Sequence, residues 1–402
     1  LARRHIVLVS QIPLWSMGRA TGGPAFHHTL SALGQQYRVS LVTPRLDYVE
    51  HGDLPDGVEL HEFEHHLHGM FRQVRKLGWV TDTLGWYTFQ SSAWPIVRKL
   101  CASGDVGLVY GYEVYGVPVA RRAANRYGLA MVARYQGTLM SYRRHERFAG
   151  ARYVKHIAAL KTPADLYVMT DDGTLGDEVL RDLGHPASKV LFLMNGVDRG
   201  ILDAPVRDIR WDLGIPSEAP LLLTVSRLMN WKRVDRAIRV VGELERAGVR
   251  AHLAIAGVGP LEGRLRELAV AEGVSARVHW LGGVPRNELA SYYRSASMLL
   301  SLYDFSNLAN PVIEAMLLGC PVVALDTGGT DHLVHHGENG VLIDSTEPLG
   351  IAARVRELLS EPDELSAIGA AAARWADQNL WSWSERMDVE LEAIEALMTE
   401  CD

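Results

Sequence analysis

At 402 residues the chain is long enough for two or three domains, and 48% apolar with 22% charged residues is an ordinary globular balance. The 41 Lys and Arg against 48 Asp and Glu leave a net charge of −7, which argues against a protein built mainly to coat nucleic acid. Cys101, Cys320 and Cys401 are far apart and lack metal-ligand spacing, so a reducing compartment and no disulfide framework are expected.

Leu1-Ala2-Arg3-Arg4 leads straight into a strand-like run with no secretory h-region, and no apolar run reaches the ~18 residues of a membrane span. A cytoplasmic protein is expected, and the absence of an initial Met points to a short piece ahead of Leu1. Short apolar runs then alternate with segments of helical period. The first half gives His5–Ser10, Arg38–Thr43, Val106–Gly111, Ala130–Tyr135, Leu166–Thr170 and Lys189–Met194. The second gives Pro220–Ser226, His252–Gly257, Arg277–Leu281, Met298–Leu302, Pro321–Leu325 and Gly340–Ile343. Runs apolar at nearly every position suit strands buried on both faces of a parallel sheet. Between them, Pro260 to Gly273 opens on Pro and closes on Gly, and Asn310-Pro311 to Gly319 reads as N-cap, first helical residue and C-terminal Gly. The fold class is therefore α/β, with two doubly wound domains. The boundary is expected near Asp203–Pro216, and Trp381–Met398 reads as a closing amphipathic helix.

Charge is unevenly spread. Between His65 and Lys161, 15 Lys and Arg stand against 4 acids, among Trp79, Trp86, Tyr87, Phe89 and Trp94. The window is either a solvated basic face or a surface for an anionic acceptor or membrane.

In doubly wound folds ligands bind beyond the carboxyl ends of the strands, where glycines permit close approach and helix N-termini attract anions. Gln11 to Pro24, ending Thr21-Gly22-Gly23-Pro24, lies there, without the GxGxxG spacing of a dehydrogenase. So do Arg227 and Lys232, a guanidinium fork and an ammonium suited to a diphosphate. Gly257-Val258-Gly259-Pro260 and Gly282-Gly283-Val284-Pro285 follow further strands. Tyr303 to Glu314 links a strand to a helix; its backbone N–H groups suit oxygens, and Glu314 suits two ribose hydroxyls or the helix dipole.

Taken in order, these stretches resemble the retaining, nucleotide-sugar-dependent glycosyltransferases of the GT-B architecture, the glycogen synthase-like group 1 family. The likeness rests on Gly22-Gly23, Asn195 to Asp198, Ser226-Arg227-Leu228 with Lys232, Gly257 to Pro260, Glu314 to Ala324, Gly328-Gly329 with Glu338-Asn339-Gly340, and Trp381-Ser382-Trp383. Each piece is weak alone; seven in order are specific. The resemblance implies two Rossmann-like domains facing a central cleft: 1–203 for the acceptor, joined by the closing helix 380–402, and 204–379 for the donor. It implies transfer from a UDP- or GDP-sugar to a glycan, glycolipid or natural-product hydroxyl, with no metal and no resident cofactor. The partners implied are the donor and a carbohydrate or lipid-linked acceptor, with an anionic one and peripheral contact with the inner face of the membrane in view and no nucleic acid. It assigns Arg227, Lys232 and Gln136 to catalysis. Donor contacts fall to Gly22, Gly23, Arg227, Lys232, Gly257, Val284, Ser306, Asn307, Leu308, Ala309, Asn310 and Glu314.

The sequence departs from the family at three places. Ser306 stands where the family has a Glu eight positions before Glu314, Gln136 where many members have a His, and Asp331-His332 where a Glu is common. A non-catalytic sugar-nucleotide scaffold and a phosphorylase or epimerase on the same fold therefore stay open. His61, His65, His66 and His68 read as a polar loop more readily than as a metal site, as do His332, His335 and His336. Asp171-Asp172-Gly173 reads as a helix start.

Overall fold

The computed structural model describes residues 4–11, 24–45, 54–65, 78–305 and 308–400. They fall into two compact units, one of residues 1–196 and 383–402, the other of 197–382. The first division lies earlier than the Asp203–Ala204 junction expected from sequence. The 3-10 turn Arg199–Asp203 packs on helices of the second unit and belongs there.

In the first unit β1 (His5–Val9), β2 (Arg38–Pro44), β3 (Val58–Phe63), β4 (Val106–Tyr112), β5 (Ala130–Tyr135), β6 (Leu166–Thr170) and β7 (Val190–Leu193) form one sheet. Its order is β3-β2-β1-β4-β5-β6-β7, every pairing parallel. The helices are α1 (Pro24–Gln36), α2 (Gly78–Cys101), α3 (Glu113–Tyr127), α4 (Met140–Arg143), α5 (Ala149–Arg152), α6 (Val154–Leu160) and α7 (Gly176–Asp182). Alternation along β1 divides the core. Val7 and Val9 face a cluster with Phe89, Val97 and Val117, while Ile6 and Leu8 face one with Leu30, Leu33 and Tyr110.

The strand that sequence pattern missed is β3. Val-Glu-Leu-His-Glu-Phe alternates instead of running apolar, because β3 is an edge strand paired only with β2. His61 is part of it and pairs with Glu59 at 3.5 Å. His65 is buried and bonds Gly85 O at 2.9 Å and Thr88 Oγ1 at 3.1 Å. His66 and His68 lie outside the described residues.

In the second unit β8 (Leu221–Val225), β9 (His252–Ala256), β10 (Val278–Gly282), β11 (Met298–Ser301), β12 (Val322–Leu325) and β13 (Val341–Ile343) form a parallel sheet in the order β10-β9-β8-β11-β12-β13. Its helices are α8 (Ile209–Asp212), α9 (Val234–Arg246), α10 (Glu262–Ala271), α11 (Arg286–Ser295), α12 (Asn310–Leu317), α13 (Pro348–Ser360) and α14 (Pro362–Asn379). The chain then returns: α15 (Trp383–Glu400) completes the first unit, burying Leu391, Ile394 and Met398 in the Ile6–Leu8 face. No described helix is long and apolar enough to cross a membrane.

Fully buried polar groups fasten α15. Arg134 Nη1 on β5 donates to Glu390 Oε2 at 3.1 Å, and Arg386 and the Tyr110 hydroxyl also bond Glu390. Burial pushes the Glu390 carboxyl up, but Arg386 and Arg134 outweigh it and hold it below its ordinary value.

Candidate functional site

Each sheet has one place where the strand order reverses, and there the loops leaving two neighbouring strands splay apart to leave room for a ligand. In the second unit that place lies between β8 and β11. The loop after β8 carries Arg227 and Lys232; the loop after β11 leads into α12.

These loops brace one another. The Trp231 ring stacks on Phe305 at 4.8 Å, nearly parallel. Asp304 N donates to Trp231 O at 3.0 Å, and the Tyr303 hydroxyl to Val225 O at 2.8 Å. Asp304 takes ion pairs from Arg233 at 3.1 Å and Arg236 at 2.8 Å. Inside this frame the Lys232 ammonium is buried, 4.1 Å from the Trp231 ring centroid and 3.8 Å from that of Tyr303. Two aromatic faces lie against the cation. Arg227 is exposed and makes no ion pair with any described residue.

The sequence reading placed Asn310 at the helix cap. The structure puts Ala309 there, in extended conformation with no side-chain cap, and Asn310 opens α12. Val312 N donates to Ala309 O at 2.9 Å, which makes Ala309 the turn's first acceptor. Leu308 is buried, Ala309 and Asn310 partly exposed. Ser306, Asn307, Gly22 and Gly23 lie outside the described residues.

Glu314 sits in the second turn of α12, not the first, so the helix dipole does not account for it. It is buried; Arg286 on α11 pairs with Oε1 at 2.7 Å, and the Tyr293 hydroxyl donates to Oε2 at 3.0 Å. Burial pushes its carboxyl above the ordinary value, against the pull of Arg286 and Tyr293. Each oxygen keeps a lone pair for a hydroxyl. Val284 is partly exposed just ahead of α11.

Gly257 has a packing role beside the donor contact expected of it. Its φ is 148°, and a Cβ there would stand 1.8 Å from Ser226 O. The glycine lets the loops after β8 and β9 touch, joined by Ser226 N to Ala256 O at 3.0 Å and Leu228 N to Val258 O at 3.0 Å. It serves the chain's own packing, and through it the position of Arg227.

In the first unit the order reverses between β1 and β4. The residue after β4 is Glu113, at φ 61°, a conformation that side chains other than Gly seldom adopt. Its Oε1 accepts the Gln136 backbone N–H at 2.7 Å, and the Gln136 amide donates to the Tyr112 hydroxyl. Burial pushes the Glu113 carboxyl up to about 7; the Gln136 N–H and Arg134 oppose the rise and Asp172 adds to it. Sequence reading reached Gln136 but missed Glu113, and only its backbone and neighbours single it out. Asp171 and Asp172 cap no helix: they accept Gly173 N at 3.3 Å and Thr174 N at 3.1 Å, and α7 begins later, behind Leu175. Among the described residues no group of three or more His, Cys, Asp and Glu is placed to hold a metal ion.

The Arg227 and Glu314 stretches fall within residues 205–375, which match the family model of the glycosyl transferases group 1. The D-inositol 3-phosphate glycosyltransferase of Thermobispora bispora is 33% identical over 207 residues, which is 49% of this chain and 48% of that protein. The chain thus spans about half the length of that relative. The GDP-mannose-dependent alpha-(1-6)-phosphatidylinositol monomannoside mannosyltransferase of Mycolicibacterium smegmatis is 33% identical over 312 residues, 73% of this chain and 70% of that one. Among solved structures, the sucrose-phosphate synthase of Thermosynechococcus elongatus superposes with a TM-score of 0.78 at 18% identity, over 100% of both chains. That likeness shows the fold, which is GT-B. One-third identity over most of both chains in the mycolicibacterial relative carries the rest: the chain belongs to the group 1 glycosyltransferase family.

Proposed function

We propose that the chain is a retaining, metal-independent glycosyltransferase that moves a sugar from a UDP- or GDP-sugar to a hydroxyl of a glycan, glycolipid or natural product, working in the cytoplasm. The observation that carries the reading is the braced loop pair of the second unit, with buried Lys232 and exposed Arg227, which forms no ion pair with a described residue, at the switch point. Fixed cations at a strand's carboxyl end suit the charge that grows on a departing diphosphate, and preorganised donors of this kind need no rearrangement during reaction. Glu314, polarised by Arg286 and Tyr293, takes the ribose hydroxyls.

The acceptor oxygen attacks the anomeric carbon from the face the diphosphate leaves. The sugar–phosphate C–O bond breaks with its electrons going to the diphosphate, and a departing phosphate oxygen takes the acceptor proton. No protein base is obligatory, so Gln136 in place of a His is compatible with turnover. The likeness to the GDP-mannose-dependent mycolicibacterial relative favours GDP-mannose as donor and a phosphatidylinositol-type lipid as acceptor.

Calorimetric titration with GDP and with UDP, each with and without EDTA, tests the donor half. Micromolar binding of one nucleotide, unmoved by EDTA, is expected. Binding of neither overturns the reading and leaves a fold without its donor site.

A further inference from the structure

One carboxylate at the switch point of the first unit is used neither by the fold nor by the transfer steps above. Glu113 follows β4 at φ 61°, where glycine would sit without strain, and a buried charge is costly unless something answers it. Its Oε1 accepts the Gln136 backbone N–H at 2.7 Å, and the N–H of Val114 also bonds the carboxylate. A glutamine would accept the same N–H groups without a charge. Among the described residues Glu113 forms no ion pair, and no side chain donates to it. The charge therefore answers to something outside the chain.

Its surroundings say what that is. Glu113 and Gln136 are both partly exposed. The Gln136 amide nitrogen is turned to the Tyr112 hydroxyl, so its carbonyl oxygen points away from it. Each residue thus brings an acceptor, a carboxylate oxygen and an amide oxygen, to the same turn. Neighbouring acceptors suit a ligand with neighbouring donors, such as adjacent hydroxyls on one ring. A cation is less well suited, because Arg134 already pulls on the Glu113 charge. The other titratable groups about Glu113 are Tyr112 on its own strand, Tyr135 on β5 and Asp172 after β6, with Glu390 of α15 beyond Arg134. Burial pushes Tyr112 up to about 12 and Tyr135 well above its ordinary value, so neither changes charge near neutrality.

We propose that Glu113, with the Gln136 amide oxygen beside it, is an acceptor clamp: the carboxylate takes hydroxyls next to the reacting one on a polyol ring, a sugar or a cyclitol, and so fixes the direction in which the reacting hydroxyl points. The clamped hydroxyls keep their protons, and the reacting one still gives its proton to the departing phosphate oxygen. The proposal rests on the transferase reading for the purpose of the clamp, but polyol binding is read without turnover.

The test is an NMR titration of the full chain, with GDP or UDP present, using myo-inositol as the cyclitol, methyl α-D-mannopyranoside as the sugar and ethanolamine as a cation. At least one polyol should bind, and ethanolamine should not. Polyol affinity should fall about tenfold from pH 8 to pH 6, since the Glu113 carboxyl, pushed up to about 7 by burial, is mostly ionised at the first and mostly protonated at the second. Glu113→Gln keeps an acceptor for the Gln136 N–H and should lose at least about tenfold in polyol affinity at pH 8. Its pH dependence should be gone, and it should melt no lower than the parent at pH 8. A Glu113 that merely holds Gln136 in place gives neither the loss nor the flattened profile. Binding of neither polyol, parental affinity in Glu113→Gln, a flat parental profile from pH 6 to 8, or a preference for ethanolamine overturns the proposal. Binding of neither nucleotide, with polyol binding that still follows Glu113, defeats the transferase reading alone.

Discussion

The two switch points are built from opposite materials. In the second unit aromatic faces hold the Lys232 cation, and Arg–Asp pairs brace the loops beside it. In the first unit a buried Arg–Glu–Arg cluster stands behind Gln136 and Glu113, a carboxyl pushed up to about 7. One site is a fixed electrostatic cradle; the other changes charge within the physiological range. A donor diphosphate is anionic at any working pH and suits the first kind of construction, whereas a neutral hydroxyl acceptor places no such demand.

The contrast can be broken hardest at Glu390. Glu390→Leu leaves Arg134 and Arg386 buried without a counter-charge, and about 3–5 kcal/mol of unfolding free energy should go. Denaturant melting checks it, and GDP or UDP binding by the second unit should persist wherever the chain stays folded. Next, Arg227→Ala should lower transfer at saturating donor by at least ~10²-fold, the scale of one transition-state donor, with the denaturation midpoint unmoved. Undiminished turnover would remove Arg227 from the cradle.

The pH dependence of stability sharpens the contrast, since Glu113 and the His252–His279 pair should slope in opposite directions. Glu113 binds its proton more tightly folded than unfolded, so its contribution declines as pH rises from its ordinary 4.5 to about 7. In the second unit His252 Nδ1 and His279 Nε2 lie 2.9 Å apart on β9 and β10. Burial lowers both, and at His252 the neighbouring His279 and Arg277 add to the effect. Their contribution is present above the unfolded value of about 6.5 and is lost as pH falls through the lowered folded values. Urea unfolding from pH 5 to 8 should show Glu113→Gln gaining on the parent toward pH 8, and a His252→Asn, His279→Asn double variant gaining toward pH 5. Smallest of all, Arg286→Met should leave the fold standing but raise the Glu314 carboxyl further, weakening nucleotide binding as pH falls; an unchanged pH profile would disconnect Arg286 from the ribose site proposed at Glu314.

What the sequence could disclose follows the same physics. Strands buried on both faces announced themselves as unbroken apolar runs, and the motif order pointed to the two-domain architecture. β3 escaped because an edge strand keeps an alternating pattern. Arg227 and Lys232 stood out because two cations beyond a strand end are conspicuous; the stacking of Trp231 on Phe305 did not, because their meeting depends on strand order. Gly257 was legible as a glycine, but its contact with the neighbouring loop was not, since a ligand and a loop make the same demand on a backbone. Glu113 and the Arg134–Glu390 pair left no local trace: one is set by a backbone angle, the other joins positions 256 apart.

That pair has a bearing on how the protein is made. Residues 1–196 leave the ribosome first, but α15 must wait until the whole of 197–382 has been synthesised. At about 5–20 residues per second the delay is roughly 10–40 s. Throughout it the nascent first unit lacks both the partner of Arg134 and the apolar cover of Leu391, Ile394 and Met398. The second unit can mature as it emerges, while the first is held incomplete, its greasy face bare to chaperones, until the last helix arrives to close it.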